Sequence, residues 1–116
     1  MKNIFTSNFS KKGKHPLSVS ISLSPPGWYK GKKYFPLAPT WDILLDYKYG
    51  RIDDIEYTKR YLQLIISERQ IDPFGVLNDL EDGSILLCYE KEQDFCHRFV
   101  VALWLEKYVG IKVIEV

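Results

Sequence analysis

Apolar and polar positions change their spacing several times along this chain, and each change marks an element. Leu17 to Ser24 alternates, with Leu17, Val19, Ile21 and Leu23 on one face and Ser18, Ser20, Ser22 and Ser24 on the other, which is the period-two signature of a strand. The serine face is small and polar, as suits a strand face that is lightly packed or lines a cleft. Asn3 to Ser7 is a shorter candidate strand. Pro25, Pro26 and Gly27 end the alternation. The aperiodic run WYKGKKYFPLAPT that follows reads as a loop with defined turns, because its prolines fix φ and remove donors.

Helical spacing begins after Thr40. Thr40 can cap a helix from Trp41 to about Tyr49 with Gly50 as its left-handed stop, and Asp53 with Glu56 has capping-box spacing for a second helix. In that second helix Ile55, Thr58, Tyr61, Leu62, Ile65 and Arg69 recur at helical intervals and predict one apolar stripe. Asp72-Pro73 reads as the cap and first residue of a short helix ending near Leu80. Ser84 to Tyr89 contains Ile85-Leu86-Leu87 without alternation, as a central strand covered on both faces requires. Asp94 can cap a last helix carrying Phe95, Phe99, Ala102, Leu103 and Leu105, which Gly110 stops before a final strand from Ile111 to Val116. The strand, helix, strand order from Ser84 onward leaves room only for a right-handed parallel crossover. The expected fold is α/β: one small three-layer Rossmann-like domain over residues 1–116, with a short, mostly parallel sheet of about four strands flanked by helices.

Composition supports a proper core: 46% of the 116 residues are hydrophobic and 15% aromatic. A net charge of +1 gives no strong bulk attraction to nucleic acid, but the distribution is uneven. No Asp or Glu precedes Asp42, whereas Lys2, Lys11, Lys12, Lys14, Lys30, Lys32 and Lys33 all do, so an anionic partner is expected on the amino-terminal side. The loop interleaves Trp28, Tyr29, Lys30, Lys32, Lys33, Tyr34 and Phe35, a mixture of cations and flat rings suited to nucleotides or single-stranded nucleic acid. The same residues also suit a loop whose rings plug the core while its lysines stay solvated. No apolar run approaches the ~20 residues of a membrane span, and MKNIFTSNFSKKGK lacks a signal-peptide pattern. A soluble cytoplasmic protein without a membrane partner is therefore expected.

The chemistry concentrates in SILLCYEKEQDFCHR, Ser84 to Arg98, which sets two thiols, an imidazole, a guanidinium and a carboxylate around one strand-to-helix junction. Open α/β sheets bind ligands at such junctions. If Asp94 caps the helix, Cys96, His97 and Arg98 fall in its first turn, where unpaired amides and the macrodipole favour an anion or a thiolate. The leading expectation is an anion pocket in which the planar fork of Arg98 holds a nucleotide, another phosphate-bearing ligand or nucleic acid. Cys88, Ser24, Trp28, Tyr29 and Lys30 join it in binding. The alternative is a cysteine-dependent enzyme of thiol-transferase or hydrolase type, with Cys96 as nucleophile and His97 or Glu90 handling protons. A third reading is a non-catalytic interaction module in which Cys88 fills the core and Glu90 pairs with Arg98. A Cys88–Cys96 disulfide is left open, since it depends on a Cα separation that spacing does not fix. Cys88, Cys96 and His97 fall short of the paired knuckles of structural zinc, so no metal is expected. No P-loop, dinucleotide fingerprint or GxSxG elbow names a cofactor.

The runs ISLSPPGWY, LAPTWDIL, YKYGRIDDIEYTKRYLQLI, DPFGVLNDL and LLCYEKEQDFCHRFVVALWL, in this order, resemble the proteins grouped as domain of unknown function 488. The resemblance covers nearly the whole chain. It implies a small cytoplasmic α/β protein whose most typical residues are Cys88, Glu90, Cys96, His97 and Arg98, and it implies no particular activity.

Overall fold

A computed structural model describes residues 2–89 and 95–116. Five strands form one sheet: β1 (Ile4–Asn8), β2 (Ser18–Ser20), β3 (Lys32–Lys33), β4 (Ile85–Cys88) and β5 (Val113–Glu115). Their order is β3-β2-β4-β1-β5, and every neighbouring pair is parallel. Around the sheet lie helices α1 (Phe9–Lys12), α2 (Trp41–Lys48), α3 (Asp54–Leu62), α4 (Pro73–Asp79) and α5 (His97–Val109). This is an α/β fold compatible with a Rossmann-like layout.

β4 is the middle strand, as its unbroken apolar run predicts, and all four of its residues are buried. Its side chains alternate between faces. Ile85 and Leu87 pack with Phe9 of α1 and Tyr29, while Leu86 joins the main core with Ile4, Val19, Val101 and Leu105. Helices α2 to α5 supply Ile43, Tyr61, Val76 and Trp104 to that main core. Cys88, two residues after Leu86, therefore emerges on the side where α5 lies. The register Asn8↔Cys88 sets it at the carboxyl edge of the sheet.

Some expectations are corrected. The alternating run Leu17 to Ser24 forms a strand only over Ser18–Ser20, although the Ile21 amide still donates to Leu87 O at 3.1 Å. Its serine face is not lightly packed over that stretch. Ser18 and Ser20 are buried, and the Tyr29 hydroxyl covers them, 3.2 Å from Ser18 Oγ and donating to Lys32 O at 2.8 Å. A fifth strand, β3, lies inside the run expected to be loop, and a 3₁₀ turn follows at Phe35–Leu37. Two exposed lysines carry no apolar pattern, and such an edge strand exists only by pairing with its neighbour.

The caps on α3 and α4 form as expected, with Asp53 accepting from the Glu56 amide and Asp72 from the Phe74 amide. Of the expected stripe, Tyr61 and Ile65 are buried and Ile55 is 68% exposed; Tyr57, outside that stripe, is buried as well. Tyr61 belongs in the core because its hydroxyl finds Leu37 O at 2.6 Å. From Gln63 to Glu68 the chain widens into π-helical turns that bury Leu64 and Ile65. On α5 the buried residues are His97, Arg98, Val100, Val101, Trp104 and Leu105, and Leu103 is 68% exposed. Of the expected apolar positions Leu105 is buried, Phe99 and Ala102 are half-buried and Leu103 faces out, because the inward face of this helix begins with a polar pair. Its N-cap is Cys96, not Asp94, which lies outside the described residues.

Candidate active site at the end of β4

The carboxyl edge of the sheet and the first turn of α5 bring Cys88, Cys96, His97 and Arg98 together. Cys88 ends β4 and Cys96 begins α5, and their sulfurs are in contact with Cα atoms 7.1 Å apart, just past the usual disulfide span, so that closing the bond takes a small backbone movement. Each sulfur also has its own polar neighbour. Arg98 Nη1 donates to Cys88 Sγ at 3.0 Å, and His97 Nδ1 lies 3.6 Å from Cys96 Sγ. All four residues are buried.

The tautomer of His97 follows from its other nitrogen. Nε2 is 2.7 Å from Ile21 O, and a carbonyl only accepts, so Nε2 carries the proton and Nδ1 presents a lone pair to Cys96. The ring of Tyr61 packs against the imidazole at 5.4 Å. Burial pushes the His97 pKa down to about 4, helped by the nearby Arg98 charge and opposed by the hydrogen bond to Ile21. In this state the ring is neutral at pH 7.

Arg98 is fully buried. Its Nε and Nη2 hold the two carboxylate oxygens of Glu115 at 3.1 and 3.0 Å, and Thr6 Oγ1 donates to the same carboxylate at 2.6 Å. The register Thr6↔Leu86 and Thr6↔Glu115 puts these side chains on the face of the sheet that Cys88 shares. The structure therefore sets Arg98 beneath the junction, linking α5 to β5 and to Cys88, and not on the wall of an open pocket.

A cleft of about 490 Å³ opens above the sulfurs. Cys88, Cys96 and His97 line its floor, with aromatic rings from Trp41, Tyr47, Tyr57, Tyr89 and Phe95 around them. Tyr47, Tyr57 and Phe95 pack on one another with centroids 5.1–5.6 Å apart, so that wall is braced. Ser22, Ser24 and Lys48 add polar groups. Of the expected binding residues, Cys88 and Ser24 reach the cleft. Trp28 stands edge-on to Phe9 and lines a separate concavity with Lys11 and Lys14. Tyr29 is buried beneath β2, and Lys30 is exposed and outside the cleft lining. Glu90 lies outside the described residues.

Cys88 Sγ, Cys96 Sγ and a His97 ring nitrogen lie within 4.8 Å of one another. They could hold a metal only as two thiolates, not while bonded to each other.

A family model described as DUF488-N3a, the active DUF488-N3 subclade, matches residues 18–109. The chain belongs to the DUF488 family. No curated protein and no solved structure matches it. The matched stretch runs from the start of β2 to the end of α5 and so carries both cysteines, His97 and Arg98 of this DUF488 protein. Glu115, the carboxylate that holds Arg98, lies beyond it.

Sequence reasoning missed the aromatic wall, Glu115 and the Ile21 carbonyl. Trp41 and Tyr47 are six residues apart on α2 and read only as helix content. Glu115 carries no local signal, because its partner is 17 residues away, on α5. Tyr57 and Tyr61, one helical turn apart, were the available clue to a ring-lined face.

Proposed function

We propose that this DUF488 protein is a cysteine-dependent enzyme in which Cys96 is the reacting group. The cleft above it holds a flat, ring-bearing small molecule, with nucleobases as the class that suits the wall. One observation carries the reading: Cys96 Sγ sits at the N-terminus of a 13-residue helix, 3.6 Å from the lone-pair nitrogen of a histidine anchored to Ile21 O, on the floor of an aromatic cleft. A helix N-terminus stabilises a thiolate, and a neighbouring imidazole orients the thiol and accepts its hydrogen bond. The matched subclade is described as active, which agrees with chemistry at this site.

The rings of Trp41 and Tyr89 stand half-exposed at the rim, where a planar ligand can stack. Ser22 and Ser24 offer hydroxyls to its polar edge, and Lys48 offers a cation to an attached phosphate. Arg98 acts as a positioning residue through Cys88 and Glu115. Glu90, two residues past the end of β4 in sequence, is the candidate proton carrier. A nucleotide suits this arrangement better than a polynucleotide, since Lys32 and Lys33 line a different concavity, away from the cleft.

The test is iodoacetamide labelling of the pre-reduced chain against pH, with the labelled residue assigned by peptide mapping. Cys96 is expected to titrate below the free-thiol value of about 8.5. Saturating nucleoside should slow its labelling, and Trp41→Ala should remove that protection. A Cys96 midpoint at or above the free value removes the enzymatic reading. Protection by nucleoside without an acidic thiol would leave a binding protein, the reading that the aromatic wall alone favours.

A further inference from the structure

We infer that Cys88 is a resolving cysteine, so that the cleft carries out two-electron thiol–disulfide exchange on a small-molecule disulfide bearing a ring that the aromatic wall receives. This rests on the proposed reactivity of Cys96 and names the reaction class that follows from adding Cys88. A lone nucleophilic cysteine needs no second thiol. Here a second one ends β4, eight residues before Cys96 in sequence, and its sulfur touches the Cys96 sulfur.

The polar neighbours divide the labour between the two sulfurs. Cys96 has the lone pair of His97 Nδ1 beside it and the start of α5 beneath it, which suits the attacking thiol. Cys88 has the Arg98 guanidinium 3.0 Å away, and a fixed cation stabilises a thiolate both as it waits to attack and as it leaves. Glu115 holds that cation from behind through both carboxylate oxygens. Arg98 is thereby kept in place under Cys88 and out of the ligand space.

The electrons balance as follows. The Cys96 thiolate attacks one sulfur of the disulfide R–S–S–R. It forms a Cys96–S–S–R bond and releases one thiolate, which takes up a proton. The Cys88 thiolate then attacks Cys96 Sγ, forming the Cys88–Cys96 bond and expelling the second thiolate. The small molecule gains two electrons and two protons, and the two cysteines lose them. An external dithiol returns the protein to its reduced form by attacking Cys96 Sγ, with Cys88 as the leaving thiolate beside Arg98.

Oxidised glutathione is the probe. The full-length reduced protein is mixed with it, quenched with acid at intervals and read by intact mass and peptide mapping. The wild-type chain should pass through a transient glutathione adduct on Cys96 and end as the internal disulfide, with two equivalents of glutathione released. Cys88→Ser should stop at the Cys96 adduct, and Cys96→Ser should form at most a slow adduct. A wild-type chain that ends with glutathione still attached, or whose first adduct maps to Cys88, overturns the inference whether or not the variants fold. A Cys96 that forms an adduct but is never resolved sinks this inference alone. A Cys96 that reacts no faster than a free thiol sinks the proposed function as well.

Discussion

His97 shows how one buried side chain couples the site to pH. Its pKa is about 4 in the folded chain, chiefly from burial, against about 6.5 unfolded. The unfolded chain therefore takes up a proton that the folded chain refuses. The stability due to a neutral His97 is complete above about pH 6.5 and is lost as pH falls through about 4, amounting to roughly 3 kcal/mol in all. Urea unfolding from pH 7 down to 4 should show this loss in the wild type and a weaker one in His97→Asn, after the slope common to both is removed. Reduction should act in the opposite sense. A Cys96 thiolate 3.6 Å from Nδ1 favours the imidazolium, so the His97 titration followed by NMR should move upward when the disulfide is opened. An unchanged titration would mean that no thiolate forms there. Arg98 offers a second test at this scale. Glu115→Gln leaves a fully buried guanidinium facing a neutral amide, and equilibrium unfolding should register a loss of about 3 kcal/mol.

At the scale of elements, α5 carries both core packing and the candidate site, and its two ends were unequally legible. Gly110 adopts φ of 80°, the left-handed stop that the sequence predicts, and Gly110→Ala should cost about 1 kcal/mol in thermal or chemical unfolding. Nothing lies near the added Cβ, so the cost would come from the backbone alone. The other end was misread. Apolar periodicity phases a helix by its hydrophobic residues, and here the first inward positions are His97 and Arg98, whose burial depends on Ile21 and Glu115 elsewhere in the chain. β4 and the capped starts of α3 and α4 were readable because their causes are local. β3 was not, because only Val19 and Ser20 across the sheet make Lys32 and Lys33 a strand.

For the molecule as a whole, the topology explains why a site forms where it does. In a parallel sheet every carboxyl end lies on one edge, and the ends of β2 and β4 there meet the start of α5. The family motif, with its cysteines, histidine and arginine, was visible as a cluster from the sequence; the division into a cleft-facing group and a buried support was not. The acid-free amino-terminal third is also reassigned in part by the fold. Lys2 donates to Leu77 O and Leu80 O at the end of α4, and Lys32 pairs with Glu81, so some of that charge is spent on holding the fold. Among the described residues no helix is long and apolar enough to cross a membrane. The central claim is that folding creates a reactive thiol at the floor of the cleft. Its most direct measure is the rate of Cys96 alkylation by iodoacetamide at pH 7 in the reduced native protein, compared with the same residue in the urea-unfolded chain. The account predicts faster reaction in the native state despite the burial of Cys96; a native rate equal to or slower than the unfolded one contradicts it.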